Sequence, residues 1–139
     1  MILQLLVALL LAAAAVAVAA VLRRRHGTSG PTQGPSWDAP SQLDRADFDG
    51  AAAPWLVVVF SSATCTSCAA MVDKARVLAS DDVAVSEVEA AARPDLHQRY
   101  GIEAVPITVV ADRAGVVRAS FIGPASATDL WAAVADARN

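Results

Sequence analysis

The segment that decides the fold runs from Trp55 to Cys68 and reads WLVVVF, SSAT, CTSC. Its first part, Trp55–Phe60, lacks the alternation of a half-exposed strand, so it predicts a strand buried on both faces, as in the centre of a parallel sheet. Helices must then cover both sides of that sheet. Its last part holds the only two cysteines of the chain, Cys65 and Cys68, at the start of a helix predicted over 65–79.

The residues on either side predict an alternating order of helices and strands. Upstream, Ser41 and Asp44 resemble a helix-starting pair, so a short helix is expected before Gly50. Downstream we predict a strand over 83–88, a helix from Pro94 to Tyr100-Gly101, an antiparallel hairpin of strands 107–111 and 116–122, and a last helix opened by Ser126 and Asp129. This order predicts an α/β domain with a central mixed sheet and helices on both faces.

The N-terminal segment has a different composition. Residues 2–22 are apolar apart from Gln4, and as a helix they would extend roughly 31 Å, about one bilayer hydrocarbon core. No Lys or Arg precedes the run, and it is longer than the apolar region of a signal peptide, so it predicts a transmembrane anchor over 1–22 that is not cleaved. Arg23, Arg24 and Arg25 follow at once, which predicts the domain on the cytoplasmic side, with the extracytoplasmic face as the alternative.

Composition and charge bound the rest of the chain. Residues 23–40 form a basic flank and a linker rich in Gly and Pro, a composition typical of a flexible tether, and residues 41–139 are left for one domain. The 11 basic and 14 acidic side chains give a net charge of -3. Without the three arginines, eight basic residues face fourteen acidic ones, or about -6. This balance argues against a nucleic-acid partner.

The two cysteines carry the chemistry. A cysteine in the first turn of a helix meets unpaired backbone N–H groups and the positive end of the helix dipole, and both lower the pKa of its thiol. A structural disulfide is one alternative, but a four-residue loop would stabilise the fold little. A zinc site is another, but besides the cysteines only His26 and His97 could bind the metal. The spacing and position favour a redox-active pair over both, and we predict no metal.

From about Leu43 to its end, the chain resembles thioredoxin-like proteins. The resemblance rests on the WLVVVF strand, the CTSC motif, the stretch Tyr100–Pro106 (YGIEAVP) and the Ile122-Gly123 step before the last helix. It implies a thioredoxin-like fold in which Pro106 follows a cis peptide bond and lies beside the cysteines.

The resemblance also implies roles for individual residues. Cys65 would be the exposed nucleophile that attacks a target disulfide, and Cys68 would resolve the resulting mixed disulfide. Val105 and Pro106, together with Thr66-Ser67, would bind the extended substrate. The implied partners are protein disulfides and an electron-donating reductase or dithiol, and no cofactor is expected beyond the cysteine pair.

Several positions depart from the family pattern. Ser61–Thr64 lacks the tryptophans of ordinary thioredoxins, and Thr66-Ser67 replaces their Gly-Pro. The buried aspartate of the family falls at Val59, so the usual proton acceptor for Cys68 is missing. Glu87 lies where thioredoxins have a lysine near that aspartate, and two roles stay open for it: a desolvated carboxylate that takes the Cys68 proton, or a solvated residue at the end of a strand.

We predict surface positions for His97, on an exposed helix face, and for Glu89. The predicted function is a membrane-tethered thiol–disulfide oxidoreductase that reduces disulfides in protein substrates. One alternative is an exported oxidant, isomerase or cytochrome-maturation protein. The other is a peptide-binding module that uses the groove around Pro106 without redox chemistry.

Overall fold

The computed structural model describes Met1, Gln4, residues 12–18 and residues 37–139. The chain divides into two units, Met1–Pro35 and Ser36–Asn139, and residues 12–18 of the first are helical. No helix among the described residues is long and apolar enough to cross a membrane. Most of the predicted anchor over 1–22, and most of the linker over 23–40, lies outside the described residues, so both stay predictions.

Four strands form one mixed sheet in the order β2-β1-β3-β4. Strand β1 (Trp55–Ser61) is parallel to β2 (Val83–Glu89) and antiparallel to β3 (Ile107–Ala111), which in turn pairs antiparallel with β4 (Val117–Ile122). All residues of β1 after Trp55 are buried. The predicted central strand and the mixed sheet are therefore confirmed.

Three α-helices cover the two faces of the sheet. Helices α1 (Cys68–Arg76) and α3 (Ala127–Arg138) pack on one face, while α2 (Pro94–Arg99) and the segment around Leu43 pack on the other. The predicted start of α3 is confirmed, because Ser126 accepts a hydrogen bond from the Asp129 N–H at 3.0 Å.

Helix α1 is shorter than the predicted span of 65–79. It begins at Cys68, because the preceding residues form turns in which the Cys65 N–H donates to the Ser62 carbonyl at 3.1 Å. It ends at Arg76, because the N–H groups of the next residues bond three residues back instead of four, as in the contact from Leu78 to Ala75 at 2.9 Å.

The predicted helix near residue 44 is a single 3-10 turn, Arg45–Asp47, capped by the Asp44 side chain. Ser41 does not start it. Its carbonyl accepts the Val117 N–H at 3.0 Å, so this segment runs beside the start of β4. The backbone of that edge strand offers partners to the segment, and this pairing replaces the predicted helical turn.

The turn between β3 and β4 requires the glycine at position 115. Gly115 has φ +80°, and its carbonyl accepts the Leu43 N–H at 2.8 Å. A Cβ at this position would collide with the Leu43 carbonyl oxygen. The hairpin predicted around this turn is confirmed.

A polar cluster, which we call the clasp, joins the 3-10 turn Arg45–Asp47 to the end of α2; it consists of Asp44, Asp47, Arg99 and Tyr100. Arg99 forms ion pairs with Asp44 at 3.2 Å and with Asp47 at 3.1 Å. The Tyr100 hydroxyl donates to Asp47 and accepts the Asp44 N–H at 3.0 Å. The clasp therefore fixes the position of α2 on its face of the sheet.

Candidate active site

Cys65 and Cys68 form a disulfide at the end of the loop that follows β1, with their Cα atoms 5.5 Å apart. Cys65 is partly exposed, whereas Cys68 is buried, with 2% of its surface accessible. A sulfur on another molecule can therefore approach Cys65 but not Cys68. The predicted roles of entering nucleophile and resolving cysteine require this difference in access.

The start of α1 gives the cysteines an electropositive setting. Ser67 precedes the helix but makes no side-chain cap on it; its hydroxyl instead lies 3.7 Å from the Cys65 sulfur. The first N–H groups of a helix carry partial positive charge, which stabilises a thiolate nearby. This arrangement favours a reactive Cys65 once the disulfide is reduced.

The peptide bond between Val105 and Pro106 is cis, as the family resemblance implied. Phe60 pairs with Ile107, so Pro106 and the cysteine loop emerge at the same end of the sheet. The Pro106 carbonyl accepts the Gly123 N–H at 2.8 Å, which ties the start of β3 to the end of β4. Pro106 is buried and Val105 is partly exposed; their role in binding substrate stays a prediction.

Glu89 braces the loop that carries the cysteines, a role that the sequence did not reveal. One carboxylate oxygen accepts the Ala63 N–H at 3.1 Å, and the other accepts the N–H groups of Ala91 at 3.0 Å and Ala92 at 2.9 Å. These bonds hold the pKa of Glu89 below its ordinary value. A glutamate at a strand end gives no sequence signal for such a role, because its partners are backbone groups of two separate loops.

Glu87 lies on β2 opposite Val59. It accepts a hydrogen bond from the Ser61 hydroxyl at 2.8 Å and pairs with Arg76 at 3.2 Å, and 36% of its side chain is exposed. This geometry favours the solvated carboxylate among the two roles left open for it. The role of Glu87 as proton acceptor for Cys68 stays a prediction. The buried residue that Glu87 contacts is Ser61.

The exposed position predicted for His97 is wrong. The ring is partly buried, its Nε2 lies 2.9 Å from the Val88 carbonyl oxygen, and it meets the Phe60 ring edge-on at 5.6 Å between centroids. Leu96, the preceding residue, is buried against the sheet. The next position on α2 is therefore close enough for an imidazole to reach the carbonyl of β2.

Comparisons with known proteins agree with this geometry. The family model described as thioredoxin matches residues 41–136, more than half of the chain. The chain belongs to the thioredoxin family, and with its Cys65–Cys68 pair it is a thiol–disulfide oxidoreductase. No curated protein sequence matches it.

Several solved structures share the fold. Spinach chloroplast thioredoxin f (short form) is 20% identical with a TM-score of 0.55, and the match covers 74% of this chain and 99% of that one. A mutant thioredoxin from Halobacterium salinarum is 18% identical with a TM-score of 0.57, over 76% and 94% of the two chains. Oxidised mitochondrial thioredoxin 3 from Saccharomyces cerevisiae is 24% identical with a TM-score of 0.50, over 60% and 79%.

Proposed function

We propose that this chain is a membrane-tethered thioredoxin that reduces disulfides in protein substrates on the cytoplasmic side of a membrane. The observation that carries the proposal is the pairing of a partly exposed Cys65 with a buried Cys68, at the end of the sheet where Pro106 also lies. A substrate can reach the Cys65 sulfur, whereas the Cys68 sulfur is buried and can react only within the protein.

The reaction follows from this order of access. In the reduced protein, the Cys65 thiolate attacks a substrate disulfide, forms a mixed disulfide and releases the first substrate sulfur as a thiolate, which takes a proton from water. Cys68, after losing its own proton to solvent, attacks the Cys65 sulfur and releases the second substrate sulfur. The substrate gains two electrons and the protein is left with the Cys65–Cys68 disulfide. A dithiol or a reductase then returns two electrons, so no resident cofactor is needed.

The substrate surface surrounds Cys65. Thr66 is exposed, and Ser67 and Val105 are partly exposed around the loop and the start of β3. An extended peptide that pairs with the Val105 backbone would bring its disulfide to Cys65. Ile122, 47% exposed at the end of β4, pairs with Ile107 and adds apolar surface at the same end.

The side of the membrane on which the domain lies bears on whether it reduces or oxidises its substrates. The three arginines after the apolar run favour a domain in the cytoplasm, where thiols are kept reduced and a thioredoxin acts as a reductant. The Thr66-Ser67 dipeptide and the apolar residue at Val59 leave open the alternative of an exported oxidant or isomerase. The reduction potential separates the two.

We would measure that potential on the full chain in detergent, by equilibrating it with dithiol and glutathione buffers and counting the reduced cysteines by alkylation and mass. A value near about -270 mV supports the reductase, and a value above about -200 mV supports the exported alternative. The absence of a reversible couple would leave only the peptide-binding module.

Substrate capture tests the same proposal in cells. Cys68→Ser should accumulate mixed disulfides between Cys65 and protein substrates, because the resolving sulfur is gone. The matched control, Cys65→Ser, keeps one cysteine but removes the accessible one, so it should capture none. Equal capture by both variants would contradict the assigned roles.

A thiol reagent that cannot cross membranes should leave both cysteines unlabelled in intact cells if the domain is cytoplasmic.

A further inference from the structure

Thr108 carries a buried hydroxyl without a hydrogen-bond partner. Among the buried side-chain nitrogen and oxygen atoms of the residues that the structure describes, only Arg45 Nε and Thr108 Oγ1 have none. Thr108 is fully buried. Unpaired buried hydroxyls are unfavourable and uncommon in native proteins, and a role in redox chemistry is one recognised reason to keep one. Valine would fill the same space without this cost.

The position of Thr108 relates it to the resolving cysteine. Thr108 lies directly opposite Val59 in the β1–β3 pair, so the two side chains share a face of the sheet. Val59 packs in one cluster with Met71 and Val72 of α1. Cys68 precedes these residues by three and four positions, which places it on the same side of the helix. The Thr108 side chain therefore lies on the face of the sheet that α1 and α3 cover, beside a residue that packs against α1 one turn after Cys68.

The position of Thr108 along β3 shows at which end of the sheet it lies. Helix α1 begins at the end of the sheet where β1 finishes and β3 starts, and Thr108 is the second residue of β3. The other buried hydroxyl in this region belongs to Ser61, but it already donates to Glu87 at 2.8 Å. Within residues 37–139, Thr108 thus carries the one buried hydroxyl that has no hydrogen-bond partner, and it lies at the end of the sheet where α1 begins.

The redox state of Cys68 decides whether this hydroxyl has a use. In the disulfide, the Cys68 sulfur is neutral and a weak acceptor. During the resolving step the same sulfur becomes an anion in a buried site, where an anion without a hydrogen-bond donor is strongly disfavoured. The apolar side chain at Val59 cannot provide that donor.

We propose that Thr108 is a further residue of the redox site, and that its hydroxyl donates a hydrogen bond to the Cys68 thiolate of the resolving step. The proposal rests on the oxidoreductase function. The hydroxyl keeps its proton throughout, and the proton that Cys68 loses goes to solvent water. The thiolate then attacks the Cys65 sulfur, the Cys65–Cys68 bond forms, and the bond between Cys65 and the substrate breaks with its electron pair on the substrate sulfur.

The test compares Thr108→Val, which removes the hydroxyl at nearly constant volume, with Thr108→Ser, which keeps it. The reduced full chain is mixed with dithiobis(nitrobenzoate), an aromatic disulfide that releases a coloured thiolate at each of two steps. The first step is the attack of Cys65, and its rate depends on the reagent concentration. The second is the attack of Cys68 within the protein, and its rate does not.

We expect Thr108→Val to slow the second step about tenfold at neutral pH and to raise the pH midpoint of that step by about one unit. Both effects correspond to a rise of about one unit in the pKa of the Cys68 thiol. Thr108→Ser should keep the parent profile, and the first step should be unchanged in both variants. An unchanged second step in Thr108→Val would overturn the role of Thr108. A parent protein that shows no second step would instead contradict the proposed function itself.

Stability of the oxidised protein separates a structural role from a redox role. Because the hydroxyl is unpaired in the disulfide form, Thr108→Val should unfold in urea at the same concentration as the parent or at a higher one. A variant that is clearly less stable, with an unchanged second step, would show that the hydroxyl serves the fold and would overturn the proposal.

Discussion

The polar groups of the clasp differ in their hydrogen bonding from those at the redox end of the sheet, the end that holds Cys65, Cys68, Pro106 and Thr108. In the clasp, Arg99 binds two carboxylates, and burial together with the bond to Asp47 raises the pKa of Tyr100. At the redox end, the Thr108 hydroxyl has no hydrogen-bond partner among the described residues, and the Cys65 sulfur, besides its disulfide, lies 3.7 Å from the Ser67 hydroxyl. The paired groups of the clasp hold the fold, whereas in our proposal the Thr108 hydroxyl gains its partner only when the disulfide opens.

Among the variants that test this comparison, Gly115→Ala should lose the most stability; it lies at the end of the sheet opposite the cysteines. The residue has φ +80°, and a Cβ would strike the Leu43 carbonyl oxygen. We expect a loss of about 2 to 3 kcal/mol in the free energy of unfolding, from a left-handed backbone combined with a backbone collision. Urea unfolding of the full chain measures it, while the rate of Cys65 alkylation in the reduced protein should not change.

Gly101→Ala is the matched control for this variant. Gly101 also has a positive φ, +63°, but a Cβ there would have no heavy atom within 4 Å. It should cost only about 1 kcal/mol, the left-handed backbone alone. Equal losses in the two variants would mean that the collision with Leu43 does not contribute.

A smaller effect is expected from Tyr100→Phe, which removes the hydroxyl shared by Asp47 and the Asp44 backbone. The cost should be about 1 kcal/mol, the value of an ordinary hydrogen bond, and should lower Tm by about 4 to 8 °C. Calorimetry checks the stability, and the two-step reaction with the aromatic disulfide checks the chemistry. A slower resolving step in this variant would show that the clasp and the redox end are coupled.

The smallest effect concerns the brace at Glu89, where a carboxylate serves the redox loop. Its folded-state pKa is depressed, first by the Ala91 N–H and then by those of Ala92 and Ala63. The stabilisation is therefore present above the ordinary pKa of a glutamate and is lost as the pH falls through the folded-state value. Glu89→Gln should lower the urea midpoint slightly at pH about 7, and the difference should vanish in acid. Glu103→Gln, at an exposed glutamate, is the control and should leave the urea midpoint at pH about 7 unchanged.

The sequence predicted the sheet well because the signals were local. WLVVVF, the proline that begins α2 and the serine before α3 each act within one turn or strand. The start of α1 was predicted too early because the turn at Cys65 depends on the Ser62 carbonyl, which periodicity does not report. The helix start predicted at Ser41 was wrong because the hydrogen-bond partner of that residue, Val117, comes much later in the sequence.

The site divides in the same way. The cysteine pair was predicted from its spacing and position, and the cis peptide bond before Pro106 from the family resemblance. The contacts of His97, Glu89 and Thr108 could not. Each depends on which backbone group or strand neighbour the fold brings within reach, and only the strand register fixes that.

Strand pairing also governs when the site comes into being as the chain is made. Pro106 follows Cys65 by 41 residues, and the two lie at the same end of the sheet because β1 and β3 are neighbours. A nascent or truncated chain that ends before Ile107 holds both cysteines and the residues that build α1, but it has no Thr108 and no strand to carry Pro106 beside the cysteine loop. Translation therefore supplies the thiols first, and the proposed substrate surface around Pro106 is completed only after β3 has joined the sheet.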